Sequence, residues 1–348
     1  MDTGAARPGT EVCRDEVVGA MSATLRVVAR LTGGAVILGA LAWRLGTGPF
    51  LDGVRAISGW SIVLAALICL ATTACAAWRW TLVARGLGVA LPLPGAVAAC
   101  YRAQFLNTIL PGGVLGDVHR GVRHGKAAGD LSKALRAVVW ERTAGQVVQI
   151  LITVLALCVL PSPLRSHMAL ILAAGVVAAL LIFAALRAVA RSRANRIAGW
   201  VRVAGADIRH GVVARRAWPG IVLASVLVVI GHVATFVIAA DAVGTKASVG
   251  QLVPIALLAL LAMAVPLNVG GWGPREGVAA WAFAAAGFGA AQGVAVATAF
   301  GVLVMAATLP GGALLLRTDR RPKHARPQPG PAVDARCTAV TAAGAARG

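Results

Sequence analysis

Outside its first 26 residues the chain has two glutamates, Glu141 and Glu276, and each sits beside an arginine. Glu141-Arg142 follows a run that includes Pro111-Gly112-Gly113, Gly116, Asp117 and Arg120. Arg275-Glu276 follows Asn268, Gly270, Gly271, Gly273 and Pro274. Both groups lie at the ends of apolar runs, where an ionisable side chain is costly and marks a ligand path more often than a packing position. An arginine supplies a charged, bidentate fork for phosphate or carboxylate, and broken helices expose N–H groups that suit the same oxygens. The chemistry implied is the binding of an anionic group by Asp117, Arg120, Glu141, Arg142, Arg275 and Glu276, which are expected to converge on one polar cavity. Arg102, Asn107 and Asn268 are further candidates for that contact. Pro111, Gly112, Gly113, Gly116, Gly270, Gly271 and Gly273 are expected to break the backbone around it. In this reading each glutamate holds an arginine until the anion arrives, so Glu141→Gln and Glu276→Gln would leave folding intact and impair function.

The elements that must carry these residues are set by composition. The chain of 348 residues is 58% hydrophobic and 13% charged. Its apolar runs of about 20 residues predict an all-α, polytopic integral membrane bundle. The formal charge of +20 comes from residues placed mostly between those runs. That is the pattern of cytoplasmic loops, so no nucleic acid partner is expected. Cys13, Cys69, Cys75, Cys100, Cys158 and Cys337 form neither a CxxC pair nor a Cys/His spacing, and neither a metal nor another cofactor is expected.

Along the chain, residues 1–26 read as a mixed-charge cytoplasmic tail without a cleavable signal pattern. Residues 27–316 hold the transmembrane domain, and 317–348, basic and rich in proline, read as a cytoplasmic tail without fixed structure. Spans are expected over 27–45, 58–77, 137–160, 167–186, 219–243, 251–268, 278–292 and 294–316. The second ends on Trp78-Arg79-Trp80, which reads as an interface anchor. Residues 95–113 are too polar and too broken for a span, and basic loops flank them on both sides. They are expected to enter and leave by the cytoplasmic face as a re-entrant hairpin. The total is about eight transmembrane helices plus one or two re-entrant segments, in the cell membrane, with both termini cytoplasmic. Residues 187–216 carry eight arginines against Asp207 alone and fit an amphipathic helix on the cytoplasmic surface or a topology-setting basic loop. His232 falls in mid-span, where packing and proton relay are both open readings.

The stretches FLNTILPGGVLGDVHR, WERTAG, VPLNVGGWGPREG and a second LPGG at 309–312 together resemble the lysylphosphatidylglycerol synthase transmembrane-region family. The resemblance covers about residues 30–317. It implies an eight-span bundle with re-entrant helices that moves lipids or lipid-linked glycans across the membrane. By the family pattern, the matching positions are Asn107, Pro111, Gly116, Asp117, Arg120, Glu141, Arg142, Gly271, Gly273 and Glu276. Leu115 departs from it, standing where a second glycine is expected. Bifunctional members attach a soluble aminoacyl-transfer domain after the bundle. Only residues 317–348 follow here, so the synthase activity is not expected and the chain is expected not to be an enzyme.

Three functions stay open, in this order. The first is a flippase-like membrane translocase for a phospholipid or lipid-linked glycan. The second is an accessory membrane subunit for a cytoplasmic glycosyltransferase or lipid-modifying enzyme. The third is an integral membrane glycosyltransferase, disfavoured because the expected outer loops are tiny and offer only Asp52 and Asp241. Membrane lipids are the expected partners, with a cytoplasmic enzyme and a homo-oligomer left open.

Overall fold

The computed structural model describes residues 32–110, 113–160, 184, 202–264 and 272–318, and within them the fold is all-α. The helices are α1 (Thr32–Leu45), α2 (Gly48–Arg55), α3 (Gly59–Gly86), α4 (Leu93–Ile109), α5 (Leu115–Ala128) and α6 (Leu131–Val159). A helical stretch at 202–207 then runs into a π-helical turn, Ile208–Val212. After it come α7 (Trp218–Ala242), α8 (Val249–Ala262), α9 (Pro274–Ala285) and α10 (Ala290–Thr318).

Four helices are long and apolar enough to cross a bilayer: α3, α6, α7 and α10. At ~1.5 Å per residue, the 28 residues of α3 reach beyond the ~30 Å hydrocarbon layer. The pair α1 and α2 would make a fifth span but is bent by 99°. The protein is therefore a multi-pass membrane protein with four to five spans among its described residues. The expected span at 167–186 lies outside them except for residue 184. The helices in the places of 251–268 and 278–292 are shorter than expected, at 14 and 12 residues. Each rises about 20 Å, too little to cross.

Local sequence explains where these helices begin and end. The hydroxyl of Ser58 accepts from the Ser61 N–H at 3.1 Å and starts α3. Asp130 Oδ1 accepts from the Lys133 N–H at 2.9 Å and starts α6, after Gly129 at φ 75° has closed α5. The Lys133 N–H also holds the Asp130 carboxyl below its ordinary pKa. Ser248 and Gln251 form a capping box at the head of α8.

Small residues set how closely the helices approach, because lipid gives no hydrophobic drive for one apolar helix to bury another. Gly220 and Gly231 of α7 lie against Trp78, Leu82 and Thr72 of α3. Gly121 and Gly125 of α5 lie against Leu131, Ala134 and Leu135 of α6. Gly311 and Gly312 of α10, from the second LPGG, meet the Tyr101 carbonyl and Phe105 of α4. The interior is built from alanine around a few large side chains, with Phe236, Phe283 and Phe300 fully buried.

Two expectations need restating. Trp78-Arg79-Trp80 is not an interface anchor. Helix α3 continues to Gly86, so the motif lies inside the helix, with Trp80 wholly buried and Arg79 6% exposed. In the basic region 187–216, the described part docks on the bundle: Gly86 and Gly211 allow close packing at the end of α3. Asp207 Oδ2 there accepts from Arg136 Nε at 2.7 Å and Trp140 Nε1 at 3.0 Å. The 187–201 part of that expectation lies outside the described residues.

Candidate anion site in the bundle

Three arginines and two carboxylates form one connected network between α3, α5 and α6. Glu141 is 1% exposed and uses both oxygens. Its Oε1 accepts from Arg79 Nε at 2.9 Å and Arg79 Nη2 at 2.5 Å. Its Oε2 accepts from Arg120 Nη2 at 2.6 Å. Asp117 continues the chain, taking Arg120 Nε on Oδ1 at 2.9 Å and Arg142 Nη2 on Oδ2 at 2.6 Å.

Arg79, Arg120 and Asp117 are held by neutral neighbours as well. Arg79 Nη1 donates to Ser225 Oγ of α7 at 2.9 Å, and the guanidinium lies over Gly145, where a side chain would collide with it. The Arg120 guanidinium sits 4.5 Å from the centre of the Trp80 ring and donates to Cys100 Sγ at 3.5 Å. Burial opposes its charge, but Glu141 and Asp117 outweigh that and raise its pKa, keeping it a cation. Asn107, in the last turn of α4, donates from Nδ2 to Asp117 Oδ2 at 3.1 Å. It also accepts from the Gly116 N–H at 2.7 Å. That pair ties the end of α4 to the start of α5 across the Pro-Gly-Gly break. Gly116 is required there because a Cβ would strike the Ala103 carbonyl.

Arg142 differs from the rest. Its side chain is 52% exposed, while those of Arg79, Arg120 and Glu141 are 7% exposed or less. Three guanidiniums face two carboxylates, leaving a surplus of one positive charge, and Arg142 is its accessible end.

Arg275 and Glu276 form a second group. The Arg275 guanidinium pairs with Glu276 Oε1 and lies between Trp272 at 5.0 Å and Phe300 at 5.3 Å. Glu276 Oε2 accepts from the Gly273 N–H at 2.7 Å. Gly273, at φ 116°, meets Gly34 of α1 at backbone distance, so a side chain is excluded by conformation and by space. Both residues are at most 3% exposed and fully engaged with each other and their own surroundings. No hydrogen bond or ion pair among the described residues joins this group to Glu141, so the two halves of the expected cavity stand as separate networks. Arg102 is half-buried on α4 and feels the like charge of Arg123. Asn268, Pro111, Gly112, Gly270 and Gly271 lie outside the described residues.

Two partners were not legible as such. Arg79 stands between tryptophans, which disguised it. Its signal was position, because a charge seven residues before the end of a 28-residue helix must be paired if it faces inward. Ser225 gave no signal, since its hydroxyl also serves the Ile221 carbonyl within α7.

A scan of family models matches residues 27–311 to the lysylphosphatidylglycerol synthase TM region. The chain belongs to that family. The Asn107, Gly116, Asp117, Arg120 and Glu141-Arg142 motif stretches fall inside the match, as does Arg275-Glu276. No curated protein and no solved structure matches the chain.

Proposed function

We propose that the protein is a flippase-like translocase that takes the anionic head group of a phospholipid or lipid-linked glycan at Arg142. The observation that carries this reading is the half-exposed Arg142 guanidinium at the open end of a buried network with surplus positive charge. Arg142 pairs with Asp117 alone, and Asp117 is shared with Arg120 and Asn107. A phosphate reaching Arg142 takes one of its N–H groups and leaves Asp117 satisfied by the other two donors. Exchange of one anion for another keeps the arginine paired throughout, which lowers the penalty of moving charge at membrane depth. The buried partners, Arg79, Glu141 and Arg120, fix where that exchange takes place.

In this reading α4 is a re-entrant element, its 17 residues bordered by the Pro-Gly-Gly break and tied back by Asn107. The apolar run at 167–186 supplies a further crossing toward the eight that the sequence indicates. Both termini face the cytoplasm of the cell membrane, as the basic loops indicate. The chain moves lipid without making or breaking a covalent bond in it.

The test is lipid movement by the purified protein in vesicles carrying a fluorescent phospholipid. The parent is expected to accelerate exchange between leaflets, and Arg142→Ala to lose most of that acceleration. A parent that moves no lipid, or that turns over an aminoacyl-tRNA or nucleotide-sugar on its own, overturns the reading.

A further inference from the structure

A second polar feature lies within the bundle, away from the Glu141 ion pairs. Cys69 and Thr72 of α3, Gln104 of α4, and His232 and Thr235 of α7 line a cavity of about 30 Å³, closed by alkyl groups of α3 and α10. Roughly 10–15 Å³ of such space admits one water, and polar cavities are filled while apolar ones stay dry.

The hydrogen bonds around it determine what the walls offer. His232 Nδ1 is 2.8 Å from the Val228 carbonyl, which can only accept, so Nδ1 carries the hydrogen. The neutral ring then presents Nε2 as an acceptor, and no described residue takes it. Gln104 Oε1 accepts from Thr73 Oγ1 at 3.1 Å and Cys69 Sγ at 3.7 Å, which fixes the amide and leaves its NH₂ as a donor. Thr72 and Thr235 donate to the Cys69 and Gly231 carbonyls of their own helices and keep lone pairs for a further partner. Donor, acceptor and lone pairs therefore surround a space of water size. Gly231, packed against Thr72, brings α7 close enough to α3 to form it.

We propose that this cavity is a proton-binding site in which water bridges the Gln104 amide to Nε2 of His232, and the imidazole takes up a proton from that water. Nε2 gains the hydrogen as the water's O–H bond breaks, solvent replaces that proton, and Nδ1 keeps its bond to Val228. The titratable and charged groups around the ring are few. Helix α3 brings Cys69 and, farther along, Arg79; α4 brings Tyr101 behind Cys69; α6 brings Arg142; Val304 and Ala307 of α10 are uncharged. A charge on His232 repels Arg79 and Arg142. An anion bound at Arg142 relieves that repulsion, so proton uptake and head-group binding favour each other reciprocally. This coupling rests on the proposed function; the proton site itself does not.

Nitrogen-15 spectra of the full-length protein, histidine-labelled and held in phosphatidylcholine nanodiscs, test both parts. His232 is assigned by loss of its signal in His232→Gln, or by the change in Gln104→Leu should that variant not fold. The expected result, on titration from about pH 8 down to 4, is a passage from the Nδ1–H neutral ring to imidazolium, with exchange to water. A ring that stays neutral across that range, or never contacts water, overturns the proton site. Adding phosphatidylglycerol is expected to raise the midpoint in the parent and not in Arg142→Ala. A midpoint unmoved in the parent removes the coupling and leaves the site. Neither readout depends on lipid movement, so failure of the translocase reading is seen separately.

Discussion

Arg120 Nη2 lies 2.6 Å from Glu141 Oε2, joining α5 to α6 through a pair that is almost entirely buried. The other Glu141 oxygen holds Arg79, so one carboxylate fastens three helices. Removing it leaves two guanidiniums buried with one carboxylate fewer. This reverses the expectation that Glu141→Gln spares the fold.

Glu141→Gln is therefore expected to destabilise the protein by about 3–5 kcal/mol, the range for breaking a buried pair by removing one partner. Thermal unfolding in detergent checks it. An unchanged melting temperature would mean that these contacts do not hold the helices together.

Gly116→Ala is expected to destabilise by roughly 1–3 kcal/mol, because a Cβ meets the Ala103 backbone, which has no rotamer with which to give way. The same substitution should loosen the Asn107 bond to the Gly116 N–H and expose the α4–α5 junction to protease. Parent-like stability and protease resistance would show that α5 is not packed on α4 in this way.

The spans and the charged motifs could be read because each breaks a strong rule. Apolar runs of bilayer length have few other uses, and ionisable groups beside them stand out. That argument reached Asp117, Arg120, Glu141 and Arg142. It failed for Arg79 because α3 overshoots the apolar run by nine residues, to Gly86, and a sequence ruler cannot see the overshoot. It also joined Arg275-Glu276 to the same cavity, and no hydrogen bond or ion pair among the described residues makes that link. Adjacent residues of opposite charge can satisfy each other, and here they do, between Trp272 and Phe300. Which of two similar charge pairs is closed and which has an open end depends on packing by residues far away in sequence.

A topological prediction follows from the length of α4. Single cysteines at Ala90 and Lys126, both exposed and flanking α4 and α5, are expected to be shielded from an impermeant thiol reagent in intact cells. Ala90 is preferable to Gly88, whose φ of 76° disfavours a side chain. Labelling at one position and not the other would make the α4 region a full crossing.

Acid is expected to weaken the fold through His124 of α5, which packs edge-on against Trp80 at 5.6 Å. Burial lowers its pKa below the ordinary value of 6.5. Its contribution is therefore present above the unfolded pKa and is lost as pH falls through the folded one. The melting temperature should drop less between pH 7 and 5 in His124→Asn than in the parent. Equal slopes would remove His124 from the account.

The central claim is that Arg142 is the accessible end of the network and receives the head group. Binding of an anionic phospholipid to purified parent, Arg142→Lys and Arg142→Ala tests it most directly, with unfolding measured alongside. Arg142 is half exposed, so Arg142→Ala is expected to change stability by no more than about 1 kcal/mol. It should weaken binding by about tenfold or more, the loss of one charge-assisted hydrogen bond, with Arg142→Lys in between. A folded Arg142→Ala that binds anionic lipid as tightly as the parent would contradict the account.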